Sequence, residues 1–251
     1  MECAERLCYS GEIGRTMELI FEDDDIVVVN KPAGQIVHAA PGHETGALAD
    51  ELAKSRPGMA SVGSVGRPGV VHRLDIGTSG IMVFAKTRRA YINLRAAFEA
   101  HDKVKKTYLA VLHGTLDPPS GTIETTIGRK PWDPRRMAVD VPGGKKALTR
   151  WTVLECRGPL SLAEFVIETG RTHQIRVHAA HLGHPVVGDA LYGDKARDAR
   201  LALPEGRHLL HAVALEFPHP VTGEMLSLAA RPPDDILYAA LLPERGRRRA
   251  R

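Results

Sequence analysis

The sequence predicts an α+β fold with a mixed, largely antiparallel central β-sheet flanked by helices and loops. Two observations carry this expectation. Short β-like runs mostly follow one another instead of alternating with helices, which disfavours a doubly wound parallel sheet. The 251 residues are 43% hydrophobic and 25% charged, a globular balance that excludes disordered and fibrous classes.

The first two strands are predicted at residues 19–21 and 26–30, flanking the acidic turn Glu22-Asp23-Asp24-Asp25. Lys31-Pro32-Ala33-Gly34 stops the second one, because Pro cannot donate to a ladder and Gly frees the turn. Further strands are expected at residues 80–85, 105–112, 121–127, 146–156, 161–168, 209–217 and 225–229. Helices are expected at 48–55, 88–101, 173–182 and 234–242. Pro- and Gly-rich connections near 56–69, 115–121, 128–146 and 183–207 read as surface loops, where binding groups usually sit. With no repeat or low-complexity linker, the expected organisation is a lead over residues 1–18, one domain over 19–242 and an Arg-rich tail over 243–251.

Composition narrows function mainly by exclusion. The apolar runs are far shorter than the ~20 residues that cross a bilayer, and the start lacks a basic and then apolar signal, so no membrane partner is expected. Cys3, Cys8 and Cys156 are odd in number and scattered, which fits a reduced, cytoplasmic setting. Thirty-four Lys and Arg against thirty Asp and Glu leave +4. Arg245, Arg247, Arg248, Arg249 and Arg251 alone carry +5, so the rest of the chain sits at −1. The basicity is local, and such an arm attracts phosphate without reading sequence. No phosphate-binding loop or dinucleotide fingerprint is present. Asp75-Ile76-Gly77-Thr78 has no second copy with which to share a proton as aspartic proteases do. His173, His178, His181 and His184 lie close together but lack a zinc-protease spacing or a nearby acidic ligand, so no metal site is expected.

What remains is a polar constellation in separated places. Val70-Val71-His72-Arg73-Leu74-Asp75 leads through Gly77-Thr78-Ser79-Gly80 into an apolar strand, presenting Asp75 on a turn at a cleft edge. Tyr108 follows Lys106-Thr107 early in a strand and faces away from Thr107 and Leu109. Thr169-Gly170-Arg171-Thr172-His173-Gln174-Ile175-Arg176 runs from a turn into a helix for which Thr172 is the expected N-cap. Ile175, Ala179 and Leu182 trace its buried stripe, with Arg176 about 100° round from Ile175. Leu210-His211-Ala212 and His219-Pro220 bracket a later strand. Singly, each has a structural explanation: turn aspartates, packed tyrosines and surface arginines are common.

In combination the chain resembles the RluA-type pseudouridine synthases. The likeness runs through Gly69 to Asp75 with Thr78-Ser79-Gly80, Lys106-Thr107-Tyr108-Leu109-Ala110, and Thr169 to Arg176. Gly183-His184-Pro185, Gly188-Asp189, Val29 to Gly34 and the closing histidine motifs extend it over about residues 19–235. It implies an isomerase that detaches uracil from C1′ of a uridine in ribosomal or transfer RNA, turns it and rejoins it through C5, with no metal or organic cofactor. In that family the aspartate matching Asp75 is essential. The tyrosine matching Tyr108 packs on the flipped base and is placed to help remove the C5 proton, and the arginine matching Arg176 pairs with the aspartate. The resemblance makes Arg73 the filler of the space left by the base or the holder of its phosphate. Lys106 and Arg171 become backbone contacts, and His173 and Gln174 join the RNA-binding set by orienting their loop.

Two features depart from the family. Ile76-Gly77 stands where many relatives carry a charged pair, and eighteen leading residues are too few for the S4 RNA-binding domain of longer members. The chain therefore resembles the shorter members, and a monomer is the default expectation. The rivals are a non-catalytic assembly factor for structured RNA and a hydrolase using Asp75 with histidine-bound metal.

Overall fold

A computed structural model describes residues 17–39, 45–100, 103–201, 203 and 206–237. Most of the lead, the tail and the end of the helix expected at 234–242 lie outside these residues. The strands are β1 (Glu18–Glu22), β2 (Ile26–Lys31), β3 (Gly63–Ser64), β4 (Arg67–Pro68), β5 (Ser79–Ala85), β6 (Lys105–His113), β7 (Ser120–Lys130), β8 (Asp133–Val139), β9 (Lys145–Arg157), β10 (Leu160–Ile167), β11 (Leu210–Pro218) and β12 (Met225–Ala229). The helices are α1 (Leu48–Ser55), α2 (Arg88–Ala100), α3 (Gln174–His181), α4 (Lys195–Asp198) and α5 (Asp234–Leu237), with a 3₁₀ turn at Pro57–Ser61.

One ten-stranded sheet runs β1-β2-β5-β11-β6-β10-β9-β7-β8, with β12 also pairing on β11. Each of its pairings is antiparallel except β11 on β5. The predicted fold class is therefore the observed one. The parallel contact is short, His211 to Ser79 and Ala212 to Gly80, and close. Gly80 has φ of 120°, and a Cβ there would lie 2.2 Å from the Ala212 carbonyl oxygen, so only glycine permits this approach. Every residue of β5 is buried, as a central strand covered on both faces requires. The main core joins Ile26–Val29 of β2 and Ile81–Ala85 of β5 to Leu48, Leu94, Phe165 and Phe217.

Three expectations need correction. Residues 128–146 are not a loop, because β8 returns along β7 from the two-residue turn Pro131-Trp132. Pro134 and the surrounding charges read as breakers, but β8 is an edge strand, where a missing N–H and charged side chains are tolerated and discourage further pairing. Residues 56–69 contain the small β3–β4 hairpin, and 183–207 contain α4 and a bridge from Val186 to Leu112.

Lys31 connects the hairpin end to the Asp75 turn. It is fully buried, and its Nζ donates to the carbonyls of Pro32 at 2.9 Å, Gln35 at 2.8 Å and Ile76 at 3.2 Å. Burial and then Arg207 push its pKa down to about 7, while three carbonyl acceptors, one per ammonium proton, favour the charged form. Lys31→Met removes all three donors and leaves buried carbonyls under-satisfied. It should lower stability by about 2–4 kcal/mol, read as a lower urea midpoint at unchanged m-value.

Candidate active site

The Asp75 turn is fixed at every residue. Thr78 N–H donates to the Asp75 carbonyl at 3.1 Å, and Gly34 N–H donates to the Ile76 carbonyl at 2.7 Å. The Arg207 Nη1 donates to the Gly77 carbonyl at 3.0 Å, and the Thr78 hydroxyl meets His208 Nε2 at 2.8 Å. Backbone movement here would break several buried bonds together, so the Asp75 side chain is aimed by its surroundings.

Arg176 approaches from α3. Its Nη1 donates to Asp75 Oδ2 at 2.8 Å, while Nε and Nη2 donate to Asp189 Oδ2 and Oδ1 at 2.6 and 2.8 Å. One guanidinium thus serves two carboxylates. Asp189 has no exposed surface and also accepts from the backbone N–H groups of Leu191 and Tyr192, so its oxygens are fully occupied. Asp75 receives only the single Arg176 bond, and its Oδ1 faces His173 Nε2 at 3.8 Å, too far for a hydrogen bond. Its side chain keeps 18% exposure towards the cleft. The arrangement leaves a carboxylate oxygen with a free lone pair beside an open space.

The ionisation states follow from the same contacts. Burial alone would raise Asp75, but His173 and then Arg176 outweigh it and hold the carboxyl below its ordinary value. His173 is itself held below 6.5 by burial and is neutral at pH 7, so at that pH Arg176 keeps Asp75 ionised. Burial raises Asp189 as well, and the Arg176 hydrogen bonds reverse the shift. Burial, then the Asp75 charge, pushes the Tyr108 phenol above its usual value, so Tyr108 meets a ligand as a neutral ring with its hydroxyl intact.

The cleft beside Asp75 is lined by Arg73, Tyr108, Arg171, Thr172, His173 and Arg176, among others, and holds about 90 Å³. With about 10–15 Å³ of such space needed per water, that is room for several waters, the scale of one planar ring and not of a base pair. A larger hollow of about 660 Å³ lies behind the turn, lined by Lys31, Ser79, Arg207 and His211. Asp75 is not on its wall.

The site therefore gathers Asp75, Tyr108, Arg176, Arg73, Arg171 and His173 as expected from sequence. Two residues of the predicted RNA-binding set are buried, Gln174 at the cleft wall and Lys106 outside it. Gln174 is buried, its Oε1 accepting from Thr169 and Arg171 and its Nε2 donating to Leu148 and Thr149. Its polar groups are all committed within the protein, and they hold the 169–173 loop, the orienting role the resemblance implies. Lys106 is also buried, its ammonium 5.9 Å from the Phe98 ring centroid and behind Gly170, outside the cleft lining. Thr172 is not the N-cap. His173 takes that position in the left-handed region, φ 57°, a conformation His tolerates better than most side chains.

The neighbouring histidines diverge. His173 faces Asp75, His178 lies between Thr125 and Thr149, and His184 meets the His113 carbonyl. Among the described residues no group of three His, Cys, Asp or Glu is arranged to hold a metal ion.

A model of the RNA pseudouridylate synthase family matches residues 25–181. The chain belongs to this family. It is 44% identical over 229 residues to the ribosomal large subunit pseudouridine synthase D of Neisseria meningitidis, covering 88% of this chain and 60% of that protein. It is 41% identical over 220 residues to an uncharacterised RNA pseudouridine synthase of Synechocystis, covering 86% of this chain and 66% of that one. Against the human RNA pseudouridylate synthase domain containing 1 the TM-score is 0.72 at 30% identity, over 92% and 89% of the two chains. The chain spans about two thirds of the length of the curated relatives it matches.

Within the pseudouridylate synthase fold, four residues essential to this geometry were not singled out from sequence. Asp189 anchors Arg176. Tyr192 lies under the Arg176 guanidinium, 5.2 Å from ring centroid to Cζ, while its Oη accepts from Met137 N–H at 2.7 Å and meets His173 Nδ1 at 2.8 Å. Arg207 and His208 brace the Asp75 turn. The Gly188-Asp189 pair of the family pattern was the one visible signal. His208 also accounts for the unusual Gly77, since a Cβ there would lie 2.6 Å from its Nδ1.

Asp189→Ala leaves the buried Arg176 undercompensated and should cost about 3–5 kcal/mol. Because the Asp189 pKa is depressed, its contribution is present above the unfolded value near 3.8 and is lost as pH falls through the folded value. Urea titrations should therefore show wild type and variant far apart at pH 7 and converging below about pH 4.

Proposed function

We propose that this chain isomerises a uridine of structured RNA to pseudouridine, and that the RNA is large-subunit ribosomal RNA. The observation that carries the reaction is Asp75, ionised by Arg176 and with one oxygen uncommitted, beside a ring-sized cleft walled by Tyr108. The Neisseria relative and a Pseudomonas aeruginosa relative, 41% identical over 230 residues, are ribosomal large subunit pseudouridine synthases D, which favours ribosomal RNA over transfer RNA.

The cleft admits a single base, so the uridine must leave its stack, at a cost of a few kcal/mol. A base lying on Tyr108 recovers ~1–3 kcal/mol of this. The exposure of Arg73 at the cleft edge supports its filling the space left by the base or holding its phosphate, while Arg171 and the Arg-rich tail add phosphate contacts that position without reading sequence.

With the base seated, the N1–C1′ bond breaks, the uracil turns and a C5–C1′ bond forms. The C5 proton is lost and N1 gains one, so atoms balance within the nucleotide. The Asp75 carboxylate stabilises positive charge developing at C1′, or attacks covalently. Either role needs the anion, and enclosure by RNA would protonate an unpaired carboxyl, so Arg176 is a requirement of the chemistry.

Asp75→Asn should abolish pseudouridine formation while keeping the fold and RNA affinity. The check is a carbodiimide-blocked reverse-transcription map of RNA from cells lacking the gene, rescued with wild type or variant. One lost site restored only by wild type is the expected result, and restoration by the variant would reject the mechanism. Tyr108→Phe should keep RNA affinity within about threefold, whereas Tyr108→Ala should weaken it by roughly 1–3 kcal/mol, measured by filter binding. Affinity equal to wild type in the Ala variant would exclude stacking.

A further inference from the structure

The β7–β8 turn presents features that nothing in the cleft uses. Trp132 is 81% exposed, and among the described residues it has no aromatic or cation–π partner. Single exposed apolar residues are common. Here, however, the indole sits on a two-residue turn within Arg129-Lys130-Pro131-Trp132-Asp133-Pro134-Arg135-Arg136, four cations against one carboxylate. Asp133 lies 3.7 Å from Arg135 and 3.4 Å from Arg136, exposed pairs that leave both guanidinium groups facing water.

The stem of this turn is docked to the active site. Ile127 and Ala147 pack on Val177 of α3, the helix that carries Arg176, and Met137, Val139 and Tyr192 join the same cluster. The edge-strand N–H of Met137 donates to Tyr192, which meets His173, which faces Asp75. Five residue steps lead from Trp132 to Met137, so strand rise puts the turn within about 17 Å of the Met137 N–H that Tyr192 accepts. A rigid, basic and aromatic tip at that distance can reach only nucleotides near the one in the cleft.

We propose that the β7–β8 turn is a second RNA-contact site, in which Trp132 stacks on an unpaired base outside the target uridine while Lys130, Arg135 and Arg136 neutralise adjacent phosphates. Stacking is indifferent to base identity, and phosphate contacts fix register. The turn would therefore select RNA by the presence of a splayed base at a set distance. This inference rests on the reading of RNA as substrate.

Tryptophan emission tests it, because the chain has two tryptophans and Trp151 is buried with its indole N–H on the Pro118 carbonyl. Protein-free ribosomal RNA from cells lacking the gene should quench wild-type emission, and Trp132→Phe should lose that signal. Trp132→Ala should raise KM about tenfold or more at unchanged kcat, with Trp132→Phe recovering most of the loss. A double Arg135→Ala, Arg136→Ala variant should flatten the slope of log affinity against log salt by between about 1 and 2. If wild type turns over this RNA, yet its emission is unquenched and Trp132→Ala has wild-type KM, the turn is not an RNA contact and the isomerase reading stands. If wild type isomerises nothing in this RNA, the activity reading fails, and quenching alone still decides whether the turn binds RNA.

Discussion

The site depends on one guanidinium divided between two carboxylates. Two carboxylates and one arginine, all largely withdrawn from water, leave an excess negative charge in a medium of low polarity, a state that persists only when hydrogen bonds compensate it. The compensation is unequal. Asp189 takes two Arg176 bonds and two backbone N–H groups, whereas Asp75 takes one bond. The asymmetry leaves the two carboxylates differently available to a ligand. Asp189 makes the burial of Arg176 tolerable, and Asp75 keeps the uncommitted oxygen.

A carboxylate held this way must also be prevented from moving, and the sheet provides for that. The β5–β11 parallel contact brings Ser79 and His211 together, with Ser79 Oγ 2.9 Å from His211 Nδ1 and His211 Nε2 3.2 Å from the Ala230 carbonyl. Burial, foremost, lowers His211 to about 4 and His208 to about 3, so both rings are neutral at pH 7 and act as fixed hydrogen-bonding struts. Arg207 adds a buried hub, with Nη1 on the carbonyls of Gly77, His208 and Leu210 and its other nitrogens on Asp235. Pinning the backbone on one side leaves the Asp75 side chain as the group that meets the cleft on the other.

Much of this was legible in the sequence, and the remainder fails for identifiable reasons. The order of strands gave the sheet because alternation and turn residues are local signals. Asp75, Tyr108 and Arg176 stood out because their flanking residues form a recognisable pattern. The resemblance brings Gln174 and Lys106 into the RNA-binding set, but burial decides what a polar side chain can reach, and it is set here by packing on β9 and on Phe98 that residue type does not reveal. Thr172 looked like a cap by residue type, whereas the Tyr192 contact and the loop held by Gln174 start the helix one residue later. The strand β8 was hidden because edge strands carry the residues that elsewhere end a strand.

That hidden strand changes how the site is understood. Without it, Tyr192 would meet His173 and Arg176 from a loop with nothing behind it. With it, the Tyr192 hydroxyl is bonded to the edge N–H of Met137, the ring supports the guanidinium, and α3 is packed on the β7–β9 stem through Val177. The element that steadies the arginine is thus the same element that projects the basic, tryptophan-tipped turn into solvent. The turn and the Asp75 site therefore belong to one packed unit, joined through Tyr192, His173 and Val177.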